Sequence, residues 1–235
     1  TKTDFISINP VSSNNSASFY SYSFESESDL NNDWNVGSSV DVFNSPWSFG
    51  VLEESTWEWA DDVGQEGSSS IKLKGNKMSL GSHDIISIPY NLSALSDPAI
   101  RFSWAGAAVN GFPVNELKIS YSTNCGEDWS ALGTLTPLQT ANAGLYSNNF
   151  KPEKELNEWK DTIMTKSALK DDNIMFRFEY IANGTSNNFY LDNIQIGEQS
   201  ALFESSDNHL SKLSLFPNPT NSKTTVAIEN LFDRN

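Results

Sequence analysis

Residues 187–196 read NNFYLDNIQI, and the fold of the chain is decided there. Phe189, Leu191 and Ile194 stand among polar neighbours, which is the alternation of a half-buried β-strand. Tyr190 precedes a single acid, Asp192. A carboxylate inside such a strand is expensive to bury without a partner. Beside backbone carbonyls the natural partner is a hard cation that binds oxygen. Asp192 is therefore a candidate metal ligand, and its strand is expected to close a β-sandwich.

Upstream, NIMFRFEYI at residues 173–181 is the strongest strand pattern in the chain. Asn183-Gly184 behind it reads as a hairpin turn into 187–196. Further strands are expected at 19–24 (FYSYSF), 56–60 (TWEWA), 70–73, 84–89 (DIISIP), 99–105 (AIRFSWA), 116–122 (ELKISYS), from Trp129 onward, and at 157–164 (NEWKDTIM). A turn of helix or 3-10 is expected at 167–171. Short strands at close spacing, with no convincing helical period, predict an all-β jelly-roll β-sandwich of two antiparallel sheets.

In a jelly roll the first and last strands are often edge neighbours. That brings Glu25, just behind FYSYSF, towards Asp192. Calcium takes about 6–8 oxygens from carboxylates, carbonyls and water. Glu27, Asp61 or Asp62 and the carbonyls near Ser68 are the further candidates. Two solvated acids at strand ends are the plainer alternative.

The chain has 235 residues and a formal net charge of −15, with a sequence pI of about 4.4. Nucleic acid and anionic membranes would be repelled by such a chain. Charged residues make up only 19% and aromatics 12%, an extracellular-looking all-β mixture. Cys125 is alone, so no intrachain disulfide forms. No apolar run approaches the length of a membrane span. Thr1 is not a start residue and no leader precedes it, so a mature form or fragment is expected, with any catalytic domain upstream of Thr1.

Four segments are expected. Residues 1–18 form a linker or edge segment, 19–197 the sandwich, 198–212 a polar linker, and 213–235 a short separate β unit. This last stretch contains LSLFPNPTNSKTTVAIENL. It resembles the start of the C-terminal sorting domain of the type IX secretion system, with Pro217, Asn218, Pro219 and the strand 225–228 matching. The remainder of that domain is missing. The resemblance implies a secreted or surface protein of the Bacteroidetes group that meets the type IX machinery through this segment. Four other pieces, SFES with a following DW, ISYSTNCGEDWSAL, NEWKDTIM and FRFEYIANGTSNNFYLDNIQIG, resemble MAM-like, concanavalin-type jelly-roll domains found behind secreted metalloproteases and adhesins. That resemblance implies a structural cation between the first and last strands, and an accessory or adhesion role.

Trp34, Trp47, Trp57 and Trp59 are candidates for a platform on which sugar rings stack, with Trp47, Trp57 and Trp59 put forward as ligand-binding. The alternative is that they anchor loops or the core. Ser122, Asn124, Gly126 and Trp129 resemble an Asp-box hairpin with Asn in place of Asp, a structural motif. Glu58, Asp61 and Glu66 are too irregularly spaced for a glycosidase pair. His83 and His209 stand apart, so a zinc-protease motif is absent. The functional expectation is a non-catalytic accessory or adhesion module with a structural calcium, binding a glycan or an extracellular protein. A glycoside-active enzyme of concanavalin-like fold is the alternative.

Overall fold

In the computed structural model the described residues are 19–39, 57–75, 80–109, 111–147 and 149–204. The N-terminal segment 1–18, Trp47, most of the linker and the 213–235 unit lie outside them. The strands are β1 (Phe19–Tyr22), β2 (Trp34–Ser39), β3 (Glu58–Ala60), β4 (Ser70–Leu73), β5 (Gly81–Ser87), β6 (Pro98–Gly106), β7 (Glu116–Ser122), β8 (Ser130–Leu135), β9 (Lys160–Thr165), β10 (Met175–Ala182) and β11 (Phe189–Glu198). One sheet has the order β3-β4-β11-β6-β9, with β1 also on β11, and the other β2-β5-β10-β7-β8. Every pairing between these strands is antiparallel. This is the two-sheet sandwich that the alternating strands predict.

The inward faces meet as stacked sheets do. Ile71, Leu73, Phe102, Phe189, Leu191 and Ile194 come from the first sheet, and Ile85, Leu117, Ile119, Phe176, Phe178 and Tyr180 from the second. Phe102 and Phe178 meet edge to face across the layer, centroids 5.0 Å apart. A second cluster, with Phe150, Trp159 and Tyr190, covers the outside of the first sheet. β11 is thus buried on both faces along nearly its whole length.

The expected hairpin at Asn183-Gly184 does not form, because β10 and β11 belong to different sheets. The link instead crosses between layers, and its backbone is held by side chains rather than by a partner strand. Asn115 Oδ1 accepts from the N–H groups of Asn183 and Gly184 (2.7 and 3.2 Å). Asn187 Oδ1 accepts from Phe150 N–H (2.6 Å).

Short helices interrupt the β pattern. α1 (Glu27–Asp33) starts at Ser26, whose side chain accepts from Ser28 N–H, and it buries only Leu30. α2 (Pro137–Thr140) is a single turn begun by Pro137 and a Thr136–Gln139 capping box. α3 (Gln199–Glu204) lies where the linker was expected to begin. Leu202 is fully buried, and Arg101 Nη1 donates to its carbonyl (3.3 Å).

Candidate functional site

β11 carries two partners along one edge. β4 pairs with Phe189, Leu191 and the residue between them, and β1 pairs with residues 194–197. Asp192 and Asn193 fall in the gap between those partners. On the other edge, the register to β6 shifts between Asp192 and Gln195, and Asn193 adopts a left-handed backbone (φ 49°). This is a β-bulge, and it resets the inward phase from Phe189 and Leu191 to Ile194 and Ile196. Asn tolerates the left-handed conformation better than most residues.

The gap is filled by the loop before β4. Gln65 and Glu66 donate their N–H groups to Asp192 Oδ2 (2.7 and 3.2 Å), and Asn193 N–H donates to Oδ1 (2.6 Å). Glu25, just past β1, accepts from Ser68 N–H and Ser69 N–H on Oε1 (3.0 and 2.9 Å) and from Ser68 Oγ on Oε2 (3.2 Å). The first and last strands of the sandwich thus hold one loop, residues 65–69, between two carboxylates.

Asp192 is fully buried, and no Lys or Arg bridges it among the described residues. Burial pushes its carboxyl up to about 7, with the Glu25 charge adding to the rise. Glu25 moves the other way, held below the usual carboxylate range by the Ser69 hydrogen bond first, with Ser68 and Lys154 assisting. Lys154 Nζ donates to Gly67 O (2.8 Å), which sets a positive charge near Glu25 but not on Asp192. Five backbone N–H groups and the Ser68 hydroxyl donate to the two carboxylates, so a hard cation there would have to share their oxygens with those donors. The remaining oxygens would come from the loop backbone and water, because no third acid or histidine joins the pair among the described residues.

Gly67 makes the approach possible. Its φ is +70°, and a Cβ there would lie 2.3 Å from the Glu25 carboxyl carbon. Gly67→Ala is expected to lower the melting temperature by about 5 °C. Gly144→Ala, at φ +91° with no atom near its Cβ position, measures strain alone. Equal losses from the two variants by differential scanning calorimetry would mean that the Glu25 contact adds nothing.

Among the other expected ligands, Ser68 meets Glu25 with its N–H and hydroxyl as a donor, not with the carbonyl that was expected to serve a cation. Glu27 lies exposed in the first turn of α1. Asp61 is exposed in the turn after β3. Asp62 is paired with Lys151 (2.8 Å). These three do not join the pair. Gln65, Glu66 and Asn193 do so through backbone N–H groups.

The expected sugar platform is not present at Trp57, which is 2% exposed. Its Nε1 donates to His83 O (3.1 Å) and its ring meets Phe189 edge-on, so burial strands no donor. Trp34 is buried as well. Trp59 is half-buried against the core, and its Nε1 donates to Phe24 O (2.7 Å). Glu58 is paired with Lys74 and Lys72 (2.7 and 3.4 Å).

The hairpin between β7 and β8 is held by its own side chains and by Asn173, whose Nδ2 donates to Cys125 Sγ (3.0 Å). Ser122 Oγ accepts from Asn124 and Gly126 N–H (3.2 and 2.9 Å), and Asn124 Oδ1 accepts from Asp128 N–H (3.0 Å). Trp129 lies under the Arg177 guanidinium, 4.8 Å from ring centroid to carbon.

No family model matches the chain, and no curated protein matches it. Solved structures do. The K2 cleaved adhesin domain of Lys-gingipain superposes with a TM-score of 0.50 at 16% identity, over 76% of this chain and 98% of that one. The K1 adhesin domain of Lys-gingipain from Porphyromonas gingivalis W83 gives 0.49 at 14%, over 77% and 98%. A xylan-binding domain of carbohydrate-binding module family 22 gives 0.44 at 12%, over 78% and 97%. At such identities the first of these likenesses establishes a shared β-sandwich fold.

Proposed function

We propose that the sandwich is a non-catalytic binding module of the adhesin kind, closed by a divalent cation, calcium first, between Glu25 and Asp192. The observation that carries this reading is the superposition on an adhesin domain over nearly all of that domain's length. The carboxylate pair adds to it: a cation there would tie the first strand, the last strand and the loop before β4 into one unit. In this reading the domain is MAM-like and spans residues 19–197, and the chain is exported by type IX secretion through residues 213–235. The partner is an extracellular protein or a glycan. Burial of Trp57 and the half-burial of Trp59 favour a protein surface over a stacked sugar ring.

The test is retention on a glycan array and on immobilised collagen and fibronectin, with and without chelator, and with soluble sugar products assayed in parallel. Retention without product release is the expected outcome. Release of reducing ends from any polysaccharide would overturn the reading in favour of a glycosidase. Retention by none of the surfaces would remove the adhesin role.

A further inference from the structure

We infer that Lys154 is a competitor built into the cation site: its ammonium holds the 65–69 loop when no divalent ion is bound, and it is displaced when an ion binds. The inference rests on the cation reading of Glu25 and Asp192 given above.

The loop divides its backbone between the two acids. The N–H groups of Gln65 and Glu66 go to Asp192, and those of Ser68 and Ser69 go to Glu25. Gly67 stands in the middle, and its carbonyl accepts from Lys154 Nζ (2.8 Å). The same glycine lies against the Glu25 carboxyl, which leaves no room for a Cβ. A backbone carbonyl beside a carboxylate is a pair of oxygens that a hard cation takes. An ammonium seeks the same oxygens, with one charge in place of two. The Lys154 charge also reaches the Glu25 carboxylate.

A fixed turn delivers Lys154 to that carbonyl. Asn157 N–H donates to Lys154 O (3.0 Å), and Asn157 takes a left-handed backbone (φ 54°) that Asn tolerates. Glu153 N–H donates to Oε2 of the buried Glu158 (2.8 Å), whose Oε1 accepts from the Tyr146 hydroxyl. Lys151, three residues before Lys154, pairs with Asp62 (2.8 Å). The backbone on both sides of Lys154 is therefore held before its side chain reaches the loop. An exposed lysine otherwise gains little from one such contact, because ordering the side chain offsets it. Asp62 and the carbonyls near Ser68 are oxygens that the sequence offers to a cation. Asp62 and Gly67 O are each engaged by a lysine of this one segment. An ion bound at the loop would repel the ammonium, so one displaces the other. Removing the ammonium should raise the ion's affinity and leave the ion-free loop less firmly held.

Calorimetric titration with calcium, and thermal denaturation in chelator, test this on the full chain and on Lys154→Met, Lys154→Arg and Lys166→Met. Lys166 is the control, because its Nζ donates to Ala131 O on β8 of the other sheet (3.0 Å), the same kind of bond. Lys154→Met should bind calcium about tenfold more tightly than wild type. In chelator it should melt about 2 °C lower. Lys154→Arg keeps the charge and Lys166→Met removes one far away, so both should bind calcium within about twofold of wild type. Unchanged or weaker calcium binding in Lys154→Met, an equal gain in Lys166→Met, or an ion-free Lys154→Met as stable as wild type would each overturn the inference and leave the cation reading standing. Calcium binding by neither wild type nor Lys154→Met would overturn both.

Discussion

Stripped of divalent cations, the wild-type domain will lose stability as pH rises from about 4 to about 7, and millimolar calcium at neutral pH will restore it. The sign follows from Asp192. Its carboxyl sits at about 7 in the folded chain because burial disfavours the charge, against about 4 when unfolded. The folded state therefore holds a proton that the unfolded state has released. The stabilisation is complete below the unfolded value and is lost as pH rises to the folded one. The difference is worth about 4 kcal/mol, on the order of 10 °C in a domain of this size. A cation takes the proton's place, so its affinity should rise over the same pH range.

Asp192→Asn isolates the effect from every other titrating group. The amide cannot ionise, but its NH2 faces N–H donors that the carboxylate accepted. In chelator the variant should be less stable than wild type near pH 5, and should match or exceed it near pH 8. It should lose the calcium response at both. Thermal denaturation at the two pH values, with and without calcium, reads all of this. A difference between variant and wild type that does not change with pH would show that Asp192 carries no buried proton. A melting temperature that chelator leaves untouched would remove the cation.

Trp57→Ala should be among the most damaging single substitutions in the chain. The ring is buried, meets Phe189 edge-on with centroids 6.1 Å apart, and its N–H is used by His83 O. Removing it leaves a cavity, at a cost of about 3–5 kcal/mol. The melting temperature should fall by about 10 °C or more. Ligand retention, measured well below the new transition, should be unchanged. A nearly unaltered transition with abolished glycan retention would instead return Trp57 to the surface and to sugar recognition.

The strands were readable where side-chain period alone decides them. β4 and β7 match the expected residues 70–73 and 116–122, since Ile71 and Leu73, and Leu117 and Ile119, place core residues at every second position. β11 was readable as a strand but not as a bulged one. The signal was present in the odd spacing from Leu191 to Ile194, which strict alternation does not allow. The sheet change after β10 was hidden because Asn-Gly also suits a simple hairpin. What diverts the chain is Asn115, far away in sequence, accepting the link's N–H groups. α1 buries a single residue, too few to set up a helical period.

At the site, Asp192 and Glu25 could be named because a carboxylate at a strand gap is conspicuous by type. Their partners Gln65, Glu66 and Ser69 contribute backbone N–H groups, which no residue identity announces. Only Gly67 left a trace, as a glycine where a Cβ would strike Glu25. The tryptophans show the opposite ambiguity. A Trp between polar residues reads alike whether its ring lies over a surface or under one, and the acceptor that settles it for Trp57 is a backbone carbonyl on β5.

β11 pairs with β1, β4 and β6, yet it is the last strand of the sandwich to leave the ribosome. Until it emerges, β4 and β6 share no hydrogen bonds and β1 has no sheet to join. The first sheet therefore cannot assemble progressively from its N-terminal end. The domain stays open until the whole of it has been delivered, and then closes through contacts between its sequence extremes, a slow kind of closure. A chain built this way has its longest unfolded interval during synthesis.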